Sequence, residues 1–219
     1  MHLSHREKSF IYKYRLHMII ITHPETIDEE AFWINALLDH GLERLHIRKP
    51  GYTAAAIDGL IRQIDARYYD RLVLHQQHQL AGAFGMSRTH YTEEQRNDTT
   101  FMDADQALIL STSVHTIEAF NGLNKRFSYA FMSPVYESIS KPGYRPATDL
   151  WTQIKQRTNT AVALVALGGI SPANIAATLN GGFDEVALMG SIWKQKQSPL
   201  AVYQQCRNQQ TNLQDNKHV

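Results

Sequence analysis

From residue 18 onwards the chain repeats one pattern, a short apolar run followed by a segment whose apolar residues recur every three or four positions. Apolar runs without alternation are typical of strands covered on both faces, and the recurring apolar positions predict helices between them. The pattern predicts eight strands, at residues 18–22, 44–48, 72–75, 87–91, 107–110, 129–133, 162–167 and 186–189. Eight strands that alternate with helices in 219 residues predict a (β/α)8 TIM barrel, although a doubly wound open sheet has a similar order of elements.

Helix-start signals support this order. Thr26 and Thr92 are each followed three residues later by Glu or Gln, which is the spacing of a capping box. Ser198 and Pro199 supply an N-cap and a first-turn proline for a closing helix that we expect to end near Asn208. Further helices are predicted at residues 53–67, 79–84, 115–123 and 148–157, and between the last two strands.

The length of the chain is enough for one sizeable core and too short for two domains. We therefore predict a single α/β domain at residues 18–207. Residues 1–17 show no usable period and are assigned to an N-terminal extension, and residues 208–219 form a polar C-terminal tail.

Charge and cysteine content restrict the partners. The 22 Lys and Arg residues against 21 Asp and Glu residues leave a formal net charge of +1, which lacks the basic excess typical of nucleic-acid binding. The sequence contains no signal peptide, no apolar run of ~18 residues and a single cysteine, Cys206, which cannot form an internal disulfide. We therefore expect a cytoplasmic protein that binds a small molecule, with no nucleic-acid or membrane partner, and leave a homo-oligomer open.

Glycines follow the last two predicted strands. Gly168 and Gly169 come directly after the seventh strand, and Gly190 and Ser191 come directly after the eighth. Glycine lets backbone N–H groups approach a ligand closely, and in TIM barrels a phosphate site commonly lies in these two loops beside a short extra helix. The sequence predicts a phosphate site here; the alternative is that these glycines only form turns.

A histidine and an arginine end the second predicted strand. His46 and Arg48 share one face by strand alternation, so both side chains are expected to point into the mouth of the barrel. An inward arginine requires an anion, unless it pairs with a carboxylate at the rim.

Three more histidines, His75, His90 and His115, lie at or near strand ends. With His46 they allow a His-ligated metallohydrolase as a rival, but no Asp or Glu ends a neighbouring strand to complete a catalytic set. His90 comes just before a capping box and is assigned a structural role. His115 follows a serine-rich turn that includes Ser113, and because an imidazole exchanges protons near neutral pH, we take His115 as the candidate proton carrier.

The segment after the sixth predicted strand carries hydroxyls at alternate positions. Ser138 and Ser140 would donate from one side of an extended segment, and Lys141 adds a positive charge. These three side chains can bind an anion together, and the Pro142-Gly143 pair would allow the segment to close over the ligand as a lid. The alternative is a surface turn whose serines have no role.

Taken in order, these motifs resemble the thiamine phosphate synthase family, including its thiazole tautomerase branch, over roughly residues 18–205. The family's Gln-x-Arg-x-Lys corresponds to His46, Arg48 and Pro50, and its Ser-x-His to Ser113 and His115. Its loop Gly-Pro-Val-Phe-x-Thr-x-Thr-Lys corresponds to Ser133, Pro134, Val135, Tyr136, Ser138, Ser140 and Lys141, and its two glycine motifs to residues 166–170 and 186–192.

The departures from the family pattern concern the metal. In the synthase, the resemblance implies magnesium held by an Asn-Asp pair after strand three and by an aspartate after strand four. Here those positions hold His75, Gln76 and Gln95. Neutral side chains compensate magnesium poorly because this ion requires anionic oxygens. Pro50 also replaces the strand-two lysine, although Lys49 is adjacent, so the pattern is closer to the tautomerase branch.

The tautomerase branch isomerises a thiazole phosphate carboxylate, which needs proton transfer but no metal cofactor. The resemblance implies that His115 is the general acid/base and that Arg48 and Lys141 complete the catalytic set. The residues that it implies for substrate binding are His46, His75, Gln76, Ser113, Ser138, Ser140, Gly168, Gly169, Gly190 and Ser191. Two alternatives remain: a thiamine phosphate synthase that uses Mg²⁺ and a pyrimidine pyrophosphate, and a relative that binds the phosphorylated thiazole without catalysis.

Overall fold

A computed structural model describes residues 18–98, 109–137 and 150–215 of the chain, with side chains up to residue 209. Its strands are β1 Met18–Ile21, β2 Arg44–Ile47, β3 Leu72–Leu74, β4 Arg88–Tyr91, β5 Ile109–Val114, β6 Phe127–Met132, β7 Ala163–Leu167 and β8 Glu185–Leu188. The described α-helices are α1 Glu30–Asp39, α2 Ala54–Ile61, α3 Gln79–Ala83, α4 Glu93–Asn97, α5 Ile117–Asn121, α6 Leu150–Ile154, α7 Ile175–Asn180, α8 Gly190–Trp193 and α9 Pro199–Asp215, and a 3-10 helix spans Ala66–Arg71.

The eight strands form a closed parallel barrel in sequence order, with β8 pairing β1. The predicted (β/α)8 TIM barrel is therefore confirmed, and the open-sheet alternative is excluded. Among the described residues, no helix combines the length and apolar character that crossing a membrane requires.

Several element boundaries differ from those predicted. The helix after β1 begins at Glu30, because Thr26 does not cap it: the Thr26 hydroxyl instead hydrogen-bonds the Tyr52 hydroxyl at 2.5 Å. The predicted capping box at Thr92 is present, with Gln95 as its second member. The closing helix runs to Asp215, well beyond the predicted end near Asn208, so part of the predicted polar tail is helical.

The interior of the barrel is divided into an apolar and a polar sector. The apolar sector comes from β1 and β6–β8, and its core is Ile19, Ile21, Tyr129, Phe131, Val165 and Ala187. Strands β2, β4 and β5 instead contribute buried polar residues to the interior, which are Arg44, His46, His90 and Ser111. Buried polar groups are tolerated where they hydrogen-bond one another, so this sector is expected to contain a connected network.

A buried ion pair joins the end of β2 to α1. The Lys49 ammonium lies 2.6 Å from a Glu30 carboxylate oxygen, and the two side chains are 0% and 6% exposed. Lys49 also donates to the Glu25 carbonyl oxygen at 2.8 Å. Lys49 therefore points into the helix layer and does not replace the family lysine whose position Pro50 occupies.

We expect Lys49→Met to lower the free energy of unfolding by about 3–5 kcal/mol, because it leaves the Glu30 carboxylate buried without its partner. Urea denaturation measures the change. The matched control is Arg62→Met, since the Arg62–Asp58 pair has a similar distance but a side chain that is 68% exposed. Arg62→Met should lower the free energy of unfolding by no more than ~1 kcal/mol. Equal losses in the two variants would contradict the assignment of Lys49 and Glu30 as a buried ion pair that stabilises the fold.

Candidate active site

A cavity of about 610 Å³ opens at the carboxyl ends of the strands. This is the end of a TIM barrel at which ligands bind. The residues predicted for the site that line it are Arg48, His75, Ser113, His115, Gly168, Gly169, Gly190 and Ser191. The barrel thus brings together residues from loops that are up to 143 positions apart in the chain, counting from Arg48 to Ser191 (191 − 48).

Gly168 and Gly169 adopt conformations that side chains rarely tolerate, with φ angles of 98° and 66°. A Cβ on Gly168 would lie 2.9 Å from the Pro134 Cα, and a Cβ on Gly169 would lie 2.6 Å from the Glu137 carbonyl oxygen. The two glycines are therefore required where the loops after β6 and β7 pack together. This packing role accounts for them without a ligand, so their contribution to phosphate binding stays a prediction.

Ser191 carries the stronger indication of a ligand. Its side chain lines the cavity but is only 2% exposed, and its hydroxyl has no hydrogen-bond partner among the described residues. A buried polar group without a partner costs about 1–3 kcal/mol, and such groups are rare unless a water or ligand satisfies them. The Ser191 hydroxyl is thus a donor placed beside the predicted phosphate position.

His115 lies at the exposed rim of the cavity, two residues before α5. Its Nδ1 lies 2.9 Å from the Ser133 carbonyl oxygen. A carbonyl oxygen only accepts hydrogen bonds, so Nδ1 carries the proton and Nε2 of the neutral ring has a free lone pair. The contact therefore selects the tautomer in which Nε2 can accept a proton.

Arg48 follows β2 with its side chain exposed at the cavity. Its backbone is held on both sides, since its N–H donates to the Thr22 hydroxyl at 2.9 Å and its carbonyl oxygen accepts from that hydroxyl at 3.1 Å. The guanidinium adds a positive charge beside the histidines on the floor of the cavity. This arrangement suits an anionic ligand.

Three histidines meet on the polar side of the barrel, and we call His46, His75 and His90 the histidine triad. The His46 Nδ1 lies 2.8 Å from the His75 Nε2, and the rings of His75 and His90 stack with centroids 4.1 Å apart. His46 Nε2 contacts the Tyr129 hydroxyl at 2.8 Å. His75 and His90 line the cavity, whereas His46 is 0% exposed and lies beneath them.

The environment of the histidine triad holds its imidazoles neutral. Burial lowers the pKa of His46 and His75 well below the usual value, and the neighbouring His90 ring lowers both further. Burial lowers the pKa of His90 to about 3, with smaller contributions from His78 and Arg48. Neutral imidazoles act as hydrogen-bond partners or as metal ligands.

The positions that the resemblance assigns to magnesium do not fit this ion. His75 belongs to the triad, and Gln76 is not among the cavity-lining residues, its buried Nε2 having no hydrogen-bond partner among the residues described. The Gln95 side-chain oxygen accepts from the Thr92 N–H at 3.0 Å as part of the capping box. None of the three offers an anionic oxygen.

Sequence reasoning did not assign to the site several polar residues that line the cavity, among them His90, His23, Glu93 and Lys194. His90 was assigned a structural role, but its ring faces the cavity as well as bonding Ser111 and Ser113 at 2.9 Å each. His23, Glu93 and Lys194 also line the cavity. Their positions directly after β1, after β4 and after the short helix α8 were signals in the sequence, because each follows a strand or its loop at the ligand end.

Three predicted site residues, Ser138, Ser140 and Lys141, lie outside the described residues. Their predicted roles therefore stay predictions.

A closed (β/α)8 barrel with a cavity at the carboxyl ends of its strands is the arrangement of TIM-barrel enzymes that bind small ligands. The thiamine monophosphate synthase family (TMP-TENI) matches residues 18–192, which is most of the chain. The protein belongs to this family, as the strand-end motifs predicted.

Curated and solved relatives agree with this assignment. The chain is 24% identical over 166 residues to thiamine-phosphate synthase from Geobacillus kaustophilus, covering 71% of this chain and 74% of that protein. It is 29% identical over 98 residues to the corresponding enzyme of Methanoregula boonei, covering 44% of this chain and 45% of that protein, which is less than half of its length. The crystal structure of thiamine phosphate pyrophosphorylase from Bacteroides thetaiotaomicron aligns with a TM-score of 0.71 at 28% identity, covering 93% of this chain and all of that one.

Proposed function

We propose that this protein binds a phosphorylated thiazole, with the phosphate in the corner formed by Gly168, Gly169, Gly190 and Ser191. The observation that carries this proposal is the buried Ser191 hydroxyl, which lines the cavity and has no hydrogen-bond partner among the described residues. A phosphate oxygen would accept from it in a charge-assisted hydrogen bond.

The proposed reaction is isomerisation of a thiazole phosphate carboxylate. One proton leaves one ring position and one proton is delivered to another. The reaction therefore neither consumes nor releases a proton overall, and it needs no metal. His115 suits both transfers, since Nε2 accepts the first proton and the resulting imidazolium returns a proton to the second position. The Ser133 carbonyl oxygen would stabilise the imidazolium through Nδ1–H.

The substrate carboxylate would lie toward Arg48, whose guanidinium can bind both carboxylate oxygens. Ser138, Ser140 and Lys141 are proposed to complete this side of the site. His75 and Ser113, which also line the cavity, would contact the ring.

Thiamine phosphate synthase activity is the second candidate, and the comparisons favour it because the curated relatives carry that name. The composition of the site counts against it. Two carboxylates, Glu25 and Glu93, do line the cavity, but a Glu93 oxygen lies 2.9 Å from the Arg96 guanidinium and is already paired. Among the described residues that line the cavity, Glu25 and Glu93 are the carboxylates from which a site for magnesium and pyrophosphate would have to be built.

One assay separates the candidates. Purified protein is incubated with the thiazole phosphate carboxylate tautomer, and the ultraviolet absorption of the ring is followed with and without magnesium and hydroxymethylpyrimidine pyrophosphate. Turnover in the presence of a chelator supports isomerisation. Thiamine phosphate formed only with magnesium supports the synthase, and tight binding without turnover of either kind supports a non-catalytic relative.

We expect no magnesium-dependent condensation at an ordinary enzyme turnover of ~1 per second or faster, because His75, Gln76 and Gln95 stand where the resemblance places the ligands of magnesium and none of them is anionic. The measurement is thiamine phosphate yield at saturating substrates. If condensation at that rate is found and Glu93→Gln abolishes it, while Glu94→Gln does not, then Glu93 supplies the missing ligand and the synthase assignment holds.

A further inference from the structure

We propose that the histidine triad is a binding site for a divalent transition-metal ion such as Zn²⁺. The site shares His75 with the positions that the resemblance assigns to magnesium, but its ligands are imidazole nitrogens from three strands and it does not depend on the proposed function. It lies at the floor of the cavity, where His46, His75 and His90 come from β2, β3 and β4.

The geometry of the triad is near that of a metal site. One nitrogen from each ring can be chosen so that all three lie within 4.8 Å of one another. Nitrogens bound tetrahedrally to zinc at ~2.0–2.1 Å lie roughly 3.3 Å apart, so the rings must move closer, and the stacked His75 and His90 rings must turn until their planes meet at the ion. The His46 Nδ1 and His75 Nε2 atoms lie 2.8 Å apart, where one donates a hydrogen bond to the other, so metal binding requires the donating ring to change tautomer and give up this hydrogen bond.

The ligands are of the type that zinc prefers. Imidazole nitrogen binds Zn²⁺, Ni²⁺ and Cu²⁺ well, whereas magnesium and calcium require oxygen. All three rings lie at the floor of the cavity, with His46 and His90 buried and His75 partly buried.

Neighbouring hydroxyls are placed to orient the ligands. With the metal on His46 Nδ1, the Nε2–H group donates to the Tyr129 hydroxyl. With the metal on His90 Nε2, the Nδ1–H group donates to the Ser111 hydroxyl, and only the contact with Ser113 is displaced. Metal-bound histidines generally have such a partner on the second nitrogen.

Three protein ligands leave a fourth position open toward the cavity, which is the arrangement of catalytic rather than structural zinc sites. Arg48 also lines this cavity, and its positive charge opposes a bare cation. An anion in the fourth position, such as hydroxide or phosphate, would offset this repulsion.

The test is zinc binding by the full-length protein after exhaustive dialysis against a chelator. Isothermal titration with Zn²⁺ should give saturable binding of one ion per chain, and Co²⁺ should give the intense visible absorption of tetrahedral coordination. We expect His75→Asn and His90→Asn each to weaken binding by at least ~100-fold, and Tyr129→Phe to weaken it by about 10–100-fold through loss of the orienting contact.

His40→Asn is the matched control, since His40 is an exposed histidine whose Nδ1 contacts a backbone carbonyl on its own helix. It should bind zinc as the unchanged protein does. His46 is fully buried, so its replacement risks unfolding; His75, which is only partly buried, gives the cleaner variant, and circular dichroism verifies its fold. X-ray absorption of the zinc-loaded wild-type protein should count three imidazoles without any substitution.

The absence of stoichiometric zinc binding by the wild-type protein would overturn the proposal. So would binding that persists in both His75→Asn and His90→Asn, because the ion would then lie elsewhere. Isomerisation in a chelator tests the proposed function alone, so the two proposals fail independently.

Discussion

Replacement of His115 by asparagine should lower the rate of isomerisation by about 10²–10⁴-fold, which is the usual contribution of general acid/base catalysis. Asparagine can still donate from its amide to the Ser133 carbonyl oxygen, which His115 contacts at 2.9 Å. It cannot accept and return a proton at neutral pH. The loop should therefore keep its structure while proton transfer is lost.

The measurement is turnover of the thiazole phosphate carboxylate together with the dissociation constant of thiazole phosphate. Binding should be nearly unchanged, because His115 lies at the rim and outside the proposed phosphate corner. His40→Asn again serves as the control, with full activity expected. Unchanged turnover in His115→Asn would assign proton transfer to another group and favour His23 or His90, the other histidines at the cavity together with His75.

Replacement of Gly190 by aspartate should abolish binding of thiazole phosphate. The new carboxylate would lie beside Ser191, in the corner proposed for the phosphate. Two unit charges about 4 Å apart repel by ~4 kcal/mol at an effective dielectric constant of 20, which corresponds to an affinity loss on the order of 1000-fold. Equilibrium binding of thiazole phosphate, with inorganic phosphate as competitor, measures the effect.

A graded variant separates charge repulsion from misfolding. Ser191→Ala removes one donor to the phosphate and should weaken binding by roughly 10–150-fold, the equivalent of ~1.5–3 kcal/mol for a hydrogen bond to a charged group. Gly59→Asp is the matched control, because a Cβ at this exposed position meets nothing within 4 Å. Wild-type affinity in both Gly190→Asp and Ser191→Ala would place the phosphate elsewhere.

The sequence determined the fold to a large extent, because each strand is a separate local signal. The apolar runs at 162–167 and 186–189 predict buried parallel strands. In the structure these are β7 and β8, and their boundaries differ from the predicted ones by at most one residue. Boundaries that depend on a distant contact were wrong. Thr26 has the spacing of a capping box, yet the Tyr52 hydroxyl, 26 residues away, engages its side chain and the helix begins later.

The family and the strand-end motifs could also be predicted from the sequence, since strand alternation and order place each motif at one end of the barrel. The match over residues 18–192 confirmed the family. The orientation of single side chains could not be predicted in this way. Lys49 stands next to the position of the family lysine, but only the fold shows that it pairs with Glu30 in the helix layer.

The tertiary structure alone decided how the histidines are related. Strand alternation placed His46 at the mouth of the barrel, and His90 was assigned to structure because a capping box follows it. The closed barrel fixes the height of each residue along the barrel axis relative to residues on the neighbouring strands. His46 therefore lies beneath His75, while His90 stacks against the His75 ring and faces the cavity. This stacking depends on the curvature and register of β2, β3 and β4 together, which no single segment of the sequence encodes by itself.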